Sequence, residues 1–500
     1  MTFTLVQADH ILAGFDSHGT PDLRPDSALL IEAGTIREIG DARALERAYP
    51  QAARIGGRGF VAMPGLVNAH HHVGLTPLQL GSPDHPLELW FASRLALRDV
   101  DPRLDTLYSA FEMIASGVTT VQHLHSRAPG GVPAVLDTAA SVIDAYREIG
   151  MRASYSFALR DQNRLVYEAD EAFVERLPAD LRPAMSAHFA RFSMPLAEQI
   201  AVFHELRRRY AEESCIAIQI APSNLHWLSD AALASAAEMA AETGAPVHMH
   251  LLETPYQKAY AQKRTGGSAL EYIHRHGLTG PQLTIGHGVW MSEADIELCA
   301  HTGTRICHNC SSNFRLKSGL APLNRFMAKG IPVALGMDEA GINDDRDMLQ
   351  EMRLALNVHR HPGIDSPFPK PAEILRMASE HGAATTPFGS AIGRLSPGAA
   401  ADIVLLDFDR LTYPYQSPDI ALVDVLVHRA RRDCIDTVMV NGDVIYEKGR
   451  FTRIDRDETL REIHTRLKQP LTPDESRRRA LASDVLPHVR RFYQGYLDPA

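Results

Sequence analysis

Between residues 60 and 340, short apolar runs alternate with stretches of helical length, and this alternation restricts the fold more than any other feature. Phe60–Val67, Val118–His123, Met151–Leu159, Ile216–Ala221, Pro246–Leu251, Gln282–His287, Thr304–His308 and Pro332–Gly336 are each strand-sized. Asp105–Ser116, Val132–Glu148, Ala197–Glu212, Asp230–Thr243, Tyr256–Lys263, Glu293–His301 and Leu320–Lys329 read as the helices between them. Strand–helix repetition predicts parallel βα units, and eight strands is the number that closes into a (β/α)8 barrel. An open doubly wound sheet is the alternative. It is weakened because no glycine-rich dinucleotide fingerprint follows any of the runs.

The chain ends read differently. Residues 1–60 hold short alternating segments punctuated by Gly and Pro, with Ala33-Gly34 as a hairpin-type turn. From about 390 the β pattern returns, and Asn441-Gly442 predicts a type I′ hairpin between Thr437–Val440 and Val444–Tyr446. Neither end is long enough to bury a core alone, so one β domain built from both is the economical arrangement. The expected organisation is 1–60 and 390–453 as the two parts of that domain, 61–389 as the barrel, and 454–500 as a charged helical tail. The tail's Arg477-Arg478-Arg479 and Arg490-Arg491 predict solvated faces or an oligomer contact, with a homodimer expected.

Composition narrows the function classes. A formal charge of −10 argues against a nucleic-acid surface. No apolar run approaches the roughly 20 residues of a membrane span, and no signal peptide is expected at the start. Five cysteines, an odd number in so long a chain, fit a reducing compartment, and the cytoplasm is the expected location.

In a barrel of this kind, chemistry sits where the strands end. There the sequence has His70 and His72, His123 and His125, His248-Met-His250-Leu-Leu-Glu253, Gly286-His287-Gly288 and Gly336-Met337-Asp338. An isolated His-x-His is ordinarily satisfied by backbone groups, but surface histidines would not recur at strand ends. Strand alternation carries His70 and His72 on one side of the chain and His71 on the other. Three imidazoles and a carboxylate suit Zn²⁺ or Fe²⁺, with a position left for water.

Pro64-Gly-Leu-Val-Asn-Ala-His-His-His72, His248-Met-His-Leu-Leu-Glu-Thr254, Ile285-Gly-His-Gly288, Ser311-Ser-Asn-Phe-Arg-Leu-Lys-Ser-Gly-Leu-Ala-Pro322 and Leu335-Gly-Met-Asp338 together resemble the amidohydrolase superfamily. The likeness is to its nucleobase and triazine aminohydrolase branch, over about residues 1–453. It implies an α/β fold, a (β/α)8 TIM barrel with a smaller β-sandwich built from both chain termini. It implies His70, His72, His250 and Asp338 as ligands of a divalent metal, Glu253 as proton shuttle, and His287 as the group orienting the attacking oxygen. The carboxylated lysine that bridges two metals elsewhere in the superfamily has no counterpart, because no lysine precedes Lys258. One ion, zinc or else iron, is therefore expected. Such an ion lowers the pKa of water from about 15.7 towards roughly 7.

Some positions depart from the pattern. Glu339 would bind a substrate amino group or pair with an arginine. His123 and His125 would line the pocket or orient a ligand from behind. Arg160 would meet a substrate carbonyl or carboxylate, or else form a surface pair, and Asn313 and His308 are further pocket candidates. Cys307-His-Asn-Cys310 lacks the partners of a structural zinc site and reads as structural. The expected function is hydrolytic deamination of a small aminated N-heterocycle (purine, pterin, pyrimidine or triazine). The alternatives are the same mechanism with chloride or alkylamine leaving, a cyclic amidohydrolase, and a catalytically silent scaffold.

Overall fold

Pro64 and Gly65 divide the apolar run that the sequence reading joined to the first barrel strand. In the computed structural model, which describes residues 3–126 and 128–498, Ala53–Pro64 belongs to one sheet and Leu66–His71 to another. Proline has no N–H to extend a ladder. Gly65 passes so close to Thr119 that a Cβ would come within 2.1 Å of its Oγ1.

The chain's two ends meet in a single eight-stranded sheet. From one edge to the other it runs Arg450–Phe451, Asp443–Glu447, Ile435–Val440, Ile403–Asp407, Ala53–Pro64, Phe3–Phe15, Pro21–Glu32 and Thr35–Asp41. The join is the antiparallel pairing of Ile403–Asp407 with Phe60–Pro64. The sheet curls, so that Gly34 and Asn441 touch and Ala401 N–H donates to Gly34 O at 2.8 Å. Val6, Ile11, Leu29, Ile36, Ile403 and Leu405 pack inside the curl.

The barrel strands are Leu66–His71, Val118–His125, Arg152–Leu159, Ile216–Ile218, Val247–Leu251, Leu283–His287, Arg305–His308 and Val333–Leu335. Neighbours pair in parallel. Ile220 bridges to Val247, and His71 bridges to Asp338, which closes the ring between its last and first strands. The strands are largely buried on both faces, and the helices that cover them share one continuous apolar core.

Helices Arg456–Leu467 and Pro473–Tyr493 make up the tail. The arginine clusters hide a second pattern, Leu481, Ala482, Val485 and Val489, at helical spacing. These side chains pack within the chain, on Leu89, Ala92, Leu95 and Tyr167. Arg478, expected on a solvated face or in an oligomer contact, donates to Asp99 at 2.7 Å and to Leu97 O at 3.1 Å. Among the described residues, no helix is long and apolar enough to cross a membrane. All five cysteines are free thiols.

A buried ion pair ties barrel to terminal sheet. Arg152 gives both Nε and Nη2 to the Asp402 carboxylate, at 2.8 and 3.0 Å, with the two side chains 3% and 2% exposed. Asp402 Oδ1 also accepts from Asn441 N–H at 2.8 Å. Removing the guanidinium strands a carboxylate in an apolar seam. Arg152→Met is expected to destabilise the protein by about 3–5 kcal/mol, read from denaturant unfolding, and the Arg152→Met/Asp402→Ala double variant to lose less than the single changes summed.

Candidate active site

The strand ends bring four groups to one point. The Nε2 atoms of His70, His72 and His250 lie 3.0–3.1 Å apart, and Asp338 Oδ1 sits 3.2 Å from His72 Nε2 and 3.6 Å from His70 Nε2. One ligand atom from each of the four falls within 4.8 Å of every other. The far side of each ring is held. His72 Nδ1 faces Leu124 O at 2.6 Å and His250 Nδ1 faces Ser223 O at 2.9 Å. Carbonyls only accept, so these Nδ1 atoms carry protons and each ring turns its Nε2 to the cluster. Two ring nitrogens facing at 3.0 Å, with the Asp338 carboxylate beside them drawing His72 above the ordinary histidine range, make a place for positive charge. The donor set therefore fits a divalent metal, with two imidazoles presented in the ligating tautomer.

His70 sits deepest, with Nδ1 2.8 Å from His248 Nε2. Two glycines make room for it. A Cβ on Gly286 would come within 2.9 Å of its Cε1, and one on Gly336 within 2.5 Å of its Cβ. Burial, and then the neighbouring imidazoles, push His70 and His250 well below the ordinary histidine range. Burial opposes charge on Asp338 too, but the His72 contact overrides it, and the carboxylate is held well below its usual value.

Glu253 and His287 flank the cluster. His287 Nδ1 lies 3.8 Å from Glu253 Oε1, and its Nε2 lies 3.9 Å from Asp338 Oδ2. Glu253 accepts from Ser318 Oγ at 3.2 Å and Gln257 Nε2 at 3.4 Å, and burial raises its carboxyl above the ordinary range. His287 and Asp338 both adopt left-handed backbone, φ 73° and 55°. Such geometry costs on the order of 1–3 kcal/mol per residue and persists where surrounding contacts impose it. Asp338 N–H is anchored on His70 O at 2.8 Å.

A cavity opens over this cluster, walled by Trp90, Phe91 and Trp227 with Arg94, Arg160 and Glu339 among its polar residues. Arg160 lies over the Trp227 ring, 4.2 Å from its centroid. Glu339 pairs with Arg94 Nη1 at 2.7 Å, so the arginine anticipated from sequence is inside the cavity. Asn313, expected to bind substrate, instead turns its Oδ1 to His287 Nδ1 at 2.9 Å. His123 and His125 line an adjoining cavity of about 460 Å³ that shares His72 and Arg94 with the first. His123 Nδ1 is bonded to Tyr146 Oη at 2.8 Å. Cys307 and Cys310 point apart, the first towards His70 and His248, the second towards His308 and His359.

Several contributors escaped the sequence reading. Arg94, Trp90 and Phe91 come from Leu87–Ala96, whose apolar pattern reads as core. Ser312 donates to Asp338 Oδ2 at 2.5 Å, and Arg346, fully buried, donates to Val73 O at 3.1 Å and Glu339 O at 2.7 Å. Behind the aromatic wall, Glu88 accepts from Thr254 Oγ1 at 2.5 Å and Tyr167 Oη at 3.0 Å, and burial pushes its carboxyl up to about 7.

That shift has a definite sign. The Glu88 contribution is intact below about 4.5, the unfolded value, is lost as pH rises through about 7, and stays lost above. Glu88→Gln does not titrate. Between pH 5 and 8 its stability relative to wild type should therefore rise by up to about 3 kcal/mol, measured by denaturant unfolding at each pH.

Comparison with known proteins agrees with this architecture. Residues 61–445 match the amidohydrolase family, and residues 28–52 match an imidazolonepropionase-like composite domain of bacteria. A 5-methylthioadenosine/S-adenosylhomocysteine deaminase of Syntrophobacter fumaroxidans is 28% identical over 442 residues, covering 87% of this chain and 92% of the relative. Among solved structures, a zinc-bound adenosine deaminase from Xanthomonas campestris superposes with a TM-score of 0.76 at 24% identity, covering 92% of this chain and 97% of that one. Zinc-bound atrazine chlorohydrolase from Arthrobacter aurescens superposes with a TM-score of 0.79 at 22% identity, covering 92% and 99%. At these identities the structural likeness concerns the fold.

Proposed function

From the premise that the chain belongs to the amidohydrolase family, hydrolases acting on C–N bonds, we propose that it deaminates a small aminated N-heterocycle, releasing ammonia. The observation that carries this reading is the convergence of His70, His72, His250 and Asp338 on one point, with Glu253 Oε1 3.8 Å from His287 Nδ1 and Asp338 Oδ2 3.9 Å from His287 Nε2. One carboxyl stands in the donor set and a second, buried one stands beside it, placed to give and take protons.

His70, His72, His250 and Asp338 would hold one divalent cation, with zinc favoured because two relatives of this fold carry it. When bound, such an ion supplies the Lewis acidity that lets water attack a ring carbon near neutral pH. Asp338, ionised, accepts the proton that the attacking water gives up. Glu253 donates from its carboxyl to the ring nitrogen beside the amino-bearing carbon, which makes that carbon electrophilic. It then takes up the remaining proton of the added hydroxyl as the carbonyl forms and passes it to the departing amine as the C–N bond breaks, and the proton held by Asp338 returns to Glu253 to restore the starting state. His287, steadied by Asn313, orients the attacking oxygen between Glu253 and Asp338. The aromatic wall excludes water and stacks the ring.

Further parts of the reading concern the surroundings. Arg160, Glu339, His123 and His125 would contact substrate in the two adjoining cavities, while Asn313 would act through His287. The curled terminal sheet is taken as the β-sandwich of the family, with 1–60, 61–389, 390–453 and 454–500 as the working segments. Free thiols at all five cysteines support a cytoplasmic setting, and a homodimer is the assembly proposed.

The test is metal analysis beside an ammonia-release screen. Purified protein should carry about one equivalent of zinc, and His250→Ala should lose it. Glu253→Gln should keep the ion and lose turnover by about 10²–10⁴-fold. Chloride or a ring-opened product in place of ammonia would change the leaving group, and an active Glu253→Gln would remove the proposed shuttle.

A further inference from the structure

Building on the deaminase reading, we propose that Arg94 and Glu339 together select heterocycles with a lactam edge, a ring N–H followed by a carbonyl, directly beside the amino-bearing carbon. The 2-amino-4-oxopyrimidine core of guanine and pterin has this edge. The pair is built into the cavity rather than laid on its rim. Both side chains are 9% exposed, and both line the same space as His250, Glu253 and Asp338. Arg94 Nη1 donates to Glu339 Oε1 at 2.7 Å. Glu339 Oε2 is buried and has no partner among the described residues. A buried carboxylate oxygen without a donor is costly, so an unmet acceptor in a substrate cavity is an acceptor awaiting a ligand.

The surroundings fix where that acceptor stands. Glu339 follows Asp338 in the chain, and its carbonyl is held by the fully buried Arg346 at 2.7 Å. Arg94 lies against the Trp90 ring, 4.5 Å from its centroid, and only one of its five N–H groups goes to Glu339. The cavity thus presents an acceptor and spare donors side by side. Their complement on a planar ring is a donor next to an acceptor. With Glu253 serving the ring nitrogen on one flank of the reacting carbon, the lactam N–H lies on the other flank and faces Glu339, and the carbonyl beyond it faces Arg94. With N1 of adenine given to Glu253, that flank holds the ring-fusion carbon C5 and the N7 acceptor and no N–H, which would leave Oε2 unpaired in the complex.

The experiment uses the metal-loaded enzyme and ammonia release from guanine, pterin, 1-methylguanine, adenine, adenosine and melamine. Guanine or pterin should exceed adenine and adenosine in kcat/KM by at least about 100-fold. 1-Methylguanine, which lacks the N–H but leaves the protein untouched, should fall by a similar factor. Glu339→Gln, with metal content unchanged, should lose most of the preference for guanine over 1-methylguanine. Equal turnover of guanine and 1-methylguanine, or a preference for adenosine or melamine, would overturn this inference and leave the deaminase reading standing. No ammonia from any compound, with the ion bound, would overturn both.

Discussion

Three imidazoles with their Nε2 atoms 3.0–3.1 Å apart are the constraint on which the rest of the site depends. Burial and mutual repulsion favour neutral His70 and His250, so their lone pairs converge at the floor of the cavity. Backbone carbonyls of Leu124 and Ser223 hold the Nδ1 protons of His72 and His250 and thereby choose which nitrogen points inward. Those carbonyls lie at the ends of neighbouring strands, so the ligating geometry is a property of the closed barrel as a whole. The glycines that admit His70, at 286 and 336, belong to the same device.

Around that centre, the molecule separates what must be rigid from what must be shaped. Asp338 and His287 hold left-handed backbone at the ends of short strands, braced by His70 O and Asn313. The cavity wall is made differently, from Leu87–Ala96, with the C-terminal helix packed on its back through Val485 and Val489. A tail more than 100 residues beyond Asp338 in sequence therefore bears on the shape of the substrate cavity. The Arg152–Asp402 pair plays a comparable part at the other end, joining the barrel to a sheet assembled from both chain ends.

The legible parts of the site were those written locally. His70 and His72 share a face because strand side chains alternate, and Glu253 follows His250 at a spacing that leaves it beside the cluster without joining it. Less legible were groups whose role depends on a partner elsewhere. Asn313 looked like a pocket residue but faces His287. Arg94 sits in a stretch that reads as core, and nothing in its neighbourhood announces Glu339, which lies 245 residues away in sequence and comes beside it only because the last strand closes on the first. Phe60–Met63 misled for the reverse reason: an apolar run specifies burial without naming the sheet that buries it, and Pro64 assigned it to the terminal sheet.

By itself, the sequence determined the alternation of strand and helix, the recurrence of histidine and carboxylate at the strand ends, and the absence of lysine before Lys258. Each follows from local periodicity or from the chemistry of a side chain. Tertiary structure alone decided which imidazole nitrogens converge, which arginine meets Glu339, and which oxygen of that carboxylate is left without a partner. These depend on closure of the barrel, where the bridges Ile220–Val247 and His71–Asp338 bring distant strand ends within hydrogen-bonding reach. Local pattern carries no record of distance between segments that meet only when a ring closes.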